Sequence, residues 1–185
     1  MKKCKCCRDP FTPSRPMQSV CGPACAIERA RAQKEQAERK KRSDQRKADR
    51  DRREKLKTLS DYIREAQIAV NSFVRLRDKQ RGCISCGAAS EDGRVGGGMD
   101  AGHYRSRGAA PHLRFDLRNI HSQCKRCNRY LSGNAAAYRV GLVERIGIGQ
   151  VEALEADNEP RKWTREELAA ITARFKAMTK ELKNS

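Results

Sequence analysis

The stretch Cys83–Ser132 decides the fold: CISCGAASEDGRVGGGMDAGHYRSRGAAPHLRFDLRNIHSQCKRCNRYLS. Two CxxC pairs, Cys83/Cys86 and Cys124/Cys127, bracket an insert (residues 87–123) that holds all three histidines of the chain, His103, His112 and His121. Two thiolate pairs at this spacing are a zinc signature, because four soft ligands close a tetrahedron with no open position. The insert is too long for a simple zinc ribbon, so a folded site is expected inside the clamp. The segment 91–98, EDGRVGGG, is a loop by composition. His112 to Gln123 alternates in strand fashion around Leu113, Phe115, Leu117 and Ile120, and Lys125 to Ser132 can begin a helix.

Upstream lies a second cysteine set. Cys4-x2-Cys7 and Cys21-x3-Cys25 supply four thiolates across a short loop rich in Pro and Gly. Such a segment needs metal to fold, and with no histidine and no open position the site is structural. Cys6 could replace Cys4 or Cys7; the two-residue spacer favours Cys4 and Cys7, because it lets both sulfurs face one ion. Eight of nine cysteines are thus paired for zinc, as expected in a reducing cytosol. The N-terminus has no secretory h-region and the chain no run of membrane-span length, so a cytoplasmic protein without a membrane partner is expected.

Composition narrows the partners. The 185 residues carry 41 Lys+Arg against 23 Asp+Glu, a formal charge of +18 that draws the chain to DNA or RNA. Apolar residues are 37% and aromatics 5%, too few for a large core, so metal-stabilised cores with helical extensions are expected. No Gly or Pro interrupts Ala24 to Arg81. Residues 26–58 are expected to be a basic arm without a heptad seam, a solvated helix or a partly disordered segment, and its clusters include Arg39, Lys40, Lys41 and Arg42. Pairs at i,i+4 (Glu35/Arg39, Glu38/Arg42, Asp49/Arg53, Asp51/Lys55) support the helix. The arm is either a DNA contact or a spacer. At Ser60, a candidate cap, an apolar face begins (Leu59, Ile63, Ala66, Val70, Phe73, Val74) that runs until Gly82. This places three parts on the chain: a knuckle at 1–25, the arm at 26–58, and a domain at 59–185 with its core motif at 83–134.

Beyond the clamp, Ala135 to Ile146 is an amphipathic helix closed by Gly147, and Gln150 to Ala156 a second short one. Thr164 and Glu167 make a capping box, with Trp163 and Leu168 as a staple. The stripe Leu168, Ile171, Phe175, Met178, Leu182 is a core face or a homodimer face; packing on the central module is favoured.

The order His103, Asn119, Asn128, with the last residue directly after a CxxC, resembles the HNH (ββα-metal) nuclease motif. The stretches DAGHYRSR, PHLRF, NIHSQCKRCNRYLSGN and YRV, with the N-terminal CxxC…CxxxC, resemble the NinG/Rap recombination endonucleases of lambdoid phages over the whole chain. The resemblance implies a small α+β, mainly helical fold with a zinc-clamped ββα-metal core. It implies a metal-dependent endonuclease that cuts branched DNA (Holliday junctions, D-loops), working with recombination proteins of phage or host. His103 is then the general base and Asn119 holds its loop. Asp100 and Asn128 ligate Mg²⁺ or Mn²⁺, and Arg105 or Arg107 binds the scissile phosphate. Arg114, Arg118, Lys125, Arg126 and Arg129 are expected phosphate contacts by their density around the motif. Two departures stand out: Gly102 occupies the position before the base where many members carry the ligand, and Asn128 replaces a His. His121 is left open between the site and solvent, and His112 between a loop and a DNA contact. The rival readings are a nicking or restriction-type HNH enzyme and a non-catalytic zinc module that binds nucleic acid.

Overall fold

The computed structural model describes residues 1–89 and 98–184; of the expected loop at 91–98, residues 91–97 lie outside them. The chain divides into two compact units, Met1–Lys57 and Thr58–Ser185. It is mixed α+β and mainly helical, with two two-stranded sheets. Among the described residues no helix is long and apolar enough to cross a membrane.

In the first unit, β1 (Lys2–Lys3) pairs antiparallel with β2 (Pro10–Phe11). The turn between them needs a left-handed residue, supplied by Arg8 at φ 69°. Helix α1 (Pro23–Lys55) follows, with Pro in its first turn, where a missing N–H costs nothing. It buries no residue, as expected of a sequence without an apolar seam. None of the four expected i,i+4 ion pairs closes among the described residues; the side-chain bond along this stretch runs from Gln45 Nε2 to Asp49 at 3.1 Å. Fully solvated pairs gain too little to hold two long side chains in one geometry.

The uninterrupted helical run breaks at Leu56–Thr58. The cap of α2 (Leu59–Arg77) is Thr58 rather than Ser60: Thr58 Oγ1 accepts from Asp61 N–H, and the Asp61 carboxylate accepts from Thr58 N–H at 2.9 Å. Helix α2 ends at Arg77, before Gly82, because Asp78 turns inward and is buried. Strand β3 (Met99–His103) pairs antiparallel with β4 (Ile120–Cys124), from Met99 opposite Cys124 to His103 opposite Ile120. The alternating residues before Ile120 are not strand. Pro111–Leu113 is a 3₁₀ turn, and Asp116 accepts from the backbone of Arg118 and Asn119, closing a second turn. After Cys124 the expected helix is one π-helical turn, Arg126–Tyr130. Helices α3 (Ala135–Ile146), α4 (Ile148–Ala156) and α5 (Arg165–Asn184) complete the unit, and α5 starts at the Thr164/Glu167 capping box.

Two apolar clusters hold this unit. One joins Val70, Phe73 and Val74 of α2 to Leu168 and Phe175 of α5, with Phe115 and Ile120. The α5 stripe is therefore spent on α2, with only Leu182 of it left exposed. The other joins Tyr138 and Leu142 of α3, Val151 and Leu154 of α4, and Ile84, Ala110 and Leu113. Gly141 permits this contact: a Cβ there would lie 2.0 Å from the Ile84 carbonyl oxygen.

Candidate functional site

The four sulfurs of Cys83, Cys86, Cys124 and Cys127 lie within 4.8 Å of one another, as do those of Cys4, Cys7, Cys21 and Cys25. Zn–S bonds of about 2.3 Å in a tetrahedron place sulfurs about 3.8 Å apart, so each set could hold a zinc ion. Backbone donors favour thiolates: Cys124 N–H points at Cys83 Sγ (3.3 Å), Cys127 N–H at Cys124 Sγ (3.4 Å), and Cys21 N–H at Cys4 Sγ (3.3 Å). Burial acts to raise the Cys4 thiol, yet the N–H groups of Cys6 and Cys21 bring it down to about 6. Cys6 stands outside its set, with its Sγ 3.3 Å from the Glu28 carboxylate.

Between the clamp's two pairs, Asn119 is fully buried and organises a loop. Its Oδ1 accepts from Arg105 N–H (2.8 Å), and its Nδ2 donates to the carbonyls of Arg105 (3.0 Å) and Leu113 (3.1 Å). Tyr104 N–H reaches the Asn119 carbonyl at 2.9 Å. This ties the chain after His103 to the chain before Asn119. His103 ends β3, and its Nε2 lies 3.1 Å from the Arg114 carbonyl. A carbonyl only accepts, so Nε2 carries the proton and Nδ1, which has no hydrogen bond among the described residues, is the acceptor. Burial, with repulsion from Arg107 and Arg114, lowers His103 to about 4. Among the described residues no carboxylate pairs with either of those two arginines. Arg114 is itself depressed, by burial and by Arg107. Two guanidiniums without a carboxylate partner among the described residues, beside a neutral imidazole, have anion-binding character.

Asp100 and Asn128 form a second cluster. Asn128 Nδ2 donates to Asp100 Oδ2 at 2.9 Å, and Arg129 grips the same carboxylate through Nε (2.7 Å) and Nη2 (2.9 Å). Burial acts to raise Asp100, but these bonds hold it below the ordinary carboxylate range. Asp100 and His103 share no direct contact; three residues along a strand, about 10 Å, separate them and put them on opposite faces.

The remaining candidates separate by what they touch. Arg105 is committed elsewhere: its Nη1 donates to the carbonyls of Leu154 (2.9 Å) and Asp157, and its Nη2 to Asn158 (2.7 Å), capping the end of α4. That leaves Arg107, of the two, beside the imidazole. Arg118 is bound to Asp116 and Gln150. Lys125 lies near Asp100. No hydrogen bond or ion pair engages the side chain of Arg126 among the described residues. His112 Nε2 binds the Asp157 carbonyl at 2.8 Å, a loop contact.

His121 lies neither in the site nor in solvent. It is buried, with Nε2 on the Arg118 carbonyl (3.2 Å) and Nδ1 near Arg77 (3.1 Å) and Asp78 (3.6 Å). Burial lowers it as well. Asp78 also takes Arg77, Arg145 and Ser122 N–H, and so anchors β4 to the end of α2. Sequence reasoning missed this network. The available signal was an aspartate at a helix C-terminus, where the helix dipole disfavours a negative charge without other partners.

This assembly, a four-cysteine clamp around an asparagine-held loop with a neutral histidine, preceded by a second four-cysteine unit and a basic arm, has counterparts among phage proteins. All of residues 1–185 match the family described as Bacteriophage Lambda NinG protein. Protein ninG of Salmonella phage P22 is 42% identical over 193 residues, covering 97% of this chain and 91% of that protein. Protein ninG of Escherichia phage 933W is 40% identical over 195 residues (100% and 94%), and that of Escherichia phage lambda 40% over 193 residues (97% and 91%). The chain belongs to the NinG family. No solved structure matches it.

Proposed function

We propose that the chain is a metal-dependent, structure-selective DNA endonuclease that cuts branched recombination intermediates, four-way junctions and D-loops, in the cytoplasm of a bacterial host. The observation that carries this reading is the loop held by Asn119, which presents His103 with a free Nδ1 beside Arg107 and Arg114. His103 is neutral at pH 7, and its Nδ1 takes the proton of the attacking water. Arg107 and Arg114 hold the scissile phosphate, and a phosphate there relieves their repulsion of the imidazole, making His103 a better base once DNA is bound. Lys125 and Arg126 extend the phosphate contacts. The two cysteine sets hold structural zinc.

Asp100 and Asn128 fit a hard divalent ion such as Mg²⁺ or Mn²⁺, which commonly takes one or two carboxylates and completes its shell with water and substrate phosphate. An ion held there would supply Lewis-acid stabilisation to phosphate oxygens on its own face of β3, the face opposite His103. Arg129 grips Asp100 through both carboxylate oxygens. It is mostly exposed (61%), so a phosphate can draw it off. The same ion pair is the observation that favours a second reading, a non-catalytic zinc-dependent nucleic-acid-binding protein in which Asp100 and Arg129 are simply a surface pair.

Cleavage of synthetic four-way junctions, D-loops, plain duplex and single strands with Mg²⁺ or Mn²⁺ separates the two. The wild type is expected to cut branched DNA. His103→Ala should lose about 10²- to 10⁴-fold in rate while still binding. A wild type that cuts nothing, or a variant that cuts equally well, removes the catalytic reading. Equal cutting of plain duplex points instead to a nicking or restriction-type enzyme.

A further inference from the structure

Helix α1 uses none of its side chains in a core; it is basic on more than one side, but five of its arginines fall into line. Arg39, Arg42, Arg46, Arg50 and Arg53 follow at steps of three, four, four and three, the spacing that stacks them in a single row. Asp44 and Asp51 lie off this row, and so do Lys40, Lys41 and Lys47. Asp49, at its margin, accepts from Gln45 rather than from an arginine. All five arginines are exposed, and among the described residues none is in an ion pair. Like charges at these steps destabilise a helix; Glu35, Glu38 and Asp49, four residues before Arg39, Arg42 and Arg53, offset part of that cost without closing an ion pair among the described residues.

We infer that this row is a dedicated phosphate rail for a duplex arm of the DNA substrate. The inference rests on DNA being the substrate, but not on any catalytic residue. From Arg39 to Arg53 the row spans about 21 Å at 1.5 Å per residue. A duplex of that length carries roughly twelve phosphate charges, at one per about 1.7 Å. The guanidinium fork grips phosphate oxygens in pairs, which a lysine ammonium cannot do. Contacts of this kind fix orientation without reading sequence. That suits an enzyme selecting a branch by shape, since the rail would align one duplex arm without reading its sequence.

The test is equilibrium binding of a fluorescent duplex and a four-way junction, in a His103→Ala background, from about 50 to 300 mM salt. One variant changes all five row arginines to Gln. A second removes equal charge off the row (Lys34, Lys40, Lys41, Lys47 and Arg52 to Gln). A third changes the row to Lys. Each lost phosphate contact lowers the slope of log K against log salt by about 0.9, so the row variant should lose about 4 in slope and more than about 100-fold in affinity at low salt. The off-row variant should lose less than about half of that slope, and the Lys row should keep the slope with several-fold weaker binding. Helix content by circular dichroism and zinc content should match the parent in all three.

Equal slope losses on and off the row would reduce the rail to bulk charge and overturn the inference. So would an unchanged slope in the row variant. A row variant that keeps DNA but loses duplex RNA or phosphatidylserine vesicles would assign the row to another partner. Because binding is read without cleavage, a wild type that fails to cut leaves the rail standing, and a normal cutter with an unchanged slope sinks the rail alone.

Discussion

In the N-terminal site, Cys4 Sγ accepts from the N–H of Cys21 at 3.3 Å; in the central site, Cys83 Sγ accepts from the N–H of Cys124 at the same distance. In both, a pair from one turn meets a pair from a later turn, and in both the first cysteine is buried. Their surroundings differ. Around the first there are two-residue strands, Pro-rich turns and a helix with no buried residue. Around the second, Met99 packs on Cys83 and Cys127, and two apolar clusters contributed by α2, α3, α4 and α5 complete the unit. The same four-cysteine motif is thus nearly the whole fold in one unit and one staple among several in the other. A knuckle of that kind can hold an arm; it offers no buried, water-poor place in which to tune a histidine.

The sharpest way to break this contrast is to remove one ligand from each site. Binding free energy of structural zinc is apparent folding free energy, on the order of 10–16 kcal/mol at pH 7. Cys4→Ser should drop zinc from about two ions per chain to one and erase amide-exchange protection in residues 1–22. The thermal melt of the second unit, followed by the fluorescence of Trp163, the chain's one tryptophan, should not move. Cys83→Ser should also remove one ion, but leave α2 on α5 in a weakened, lower-melting unit. If Cys4→Ser lowers the Trp163 melt, the first site supports more than its own knuckle and the comparison is wrong.

A smaller effect tests what the second unit adds to its metal. Asn119 makes three side-chain bonds to buried backbone, and each unmade one costs about 1–3 kcal/mol less whatever water restores. Asn119→Ala should destabilise the second unit by roughly 2–4 kcal/mol in urea, read at Trp163, with zinc content unchanged at both sites. Cleavage should fall as well, because the His103 loop loses its tether. A variant of full stability and reduced cleavage would make Asn119 part of the chemistry rather than its support.

Much of the scaffold was readable before any coordinates, and the reasons are local. Cysteine pairs with two- or three-residue spacers, the Thr164/Glu167 box and the Gly147 stop each act within a turn, so the sequence alone places both four-cysteine sets, both ends of α3 and the start of α5. Failures came where two local signals competed or where partners were distant. Thr58 and Ser60 both suit a cap, and Asp61 is three residues from Thr58, which decides it. Alternation around Leu113 and Phe115 mimics a strand; in the structure Leu113 joins one cluster and Phe115 the other, across a turn. The commitment of Arg105 to the end of α4 spans about fifty residues, and that of Asp78 to His121 more than forty. No pattern of spacing announces either. Asn119 was legible by resemblance, whereas its three backbone partners required the fold.

The smallest effect is the most diagnostic for His103. Burial and the two arginines hold it at about 4, below the value near 6.5 of a free imidazole. The unfolded chain therefore binds the proton first as pH falls, and the neutral, base-competent form persists in the free protein until pH approaches 4. Between pH 7 and 5.5 an ordinary histidine would lose about tenfold in its neutral fraction, while His103 should lose less than about 10%. Since kcat/KM reports the free enzyme and kcat the DNA complex, the acid limb of kcat/KM should lie near 4, and that of kcat higher, because phosphate neutralises Arg107 and Arg114. Arg107→Gln removes one repelling charge and should move the kcat/KM limb upward. Zinc content measured at each pH separates this titration from loss of the thiolate sites, which also release metal in acid. A kcat/KM limb near 6.5 with zinc retained would mean that His103 is solvated and unconstrained when it reacts, and the Asn119-held loop would then hold no tuned base.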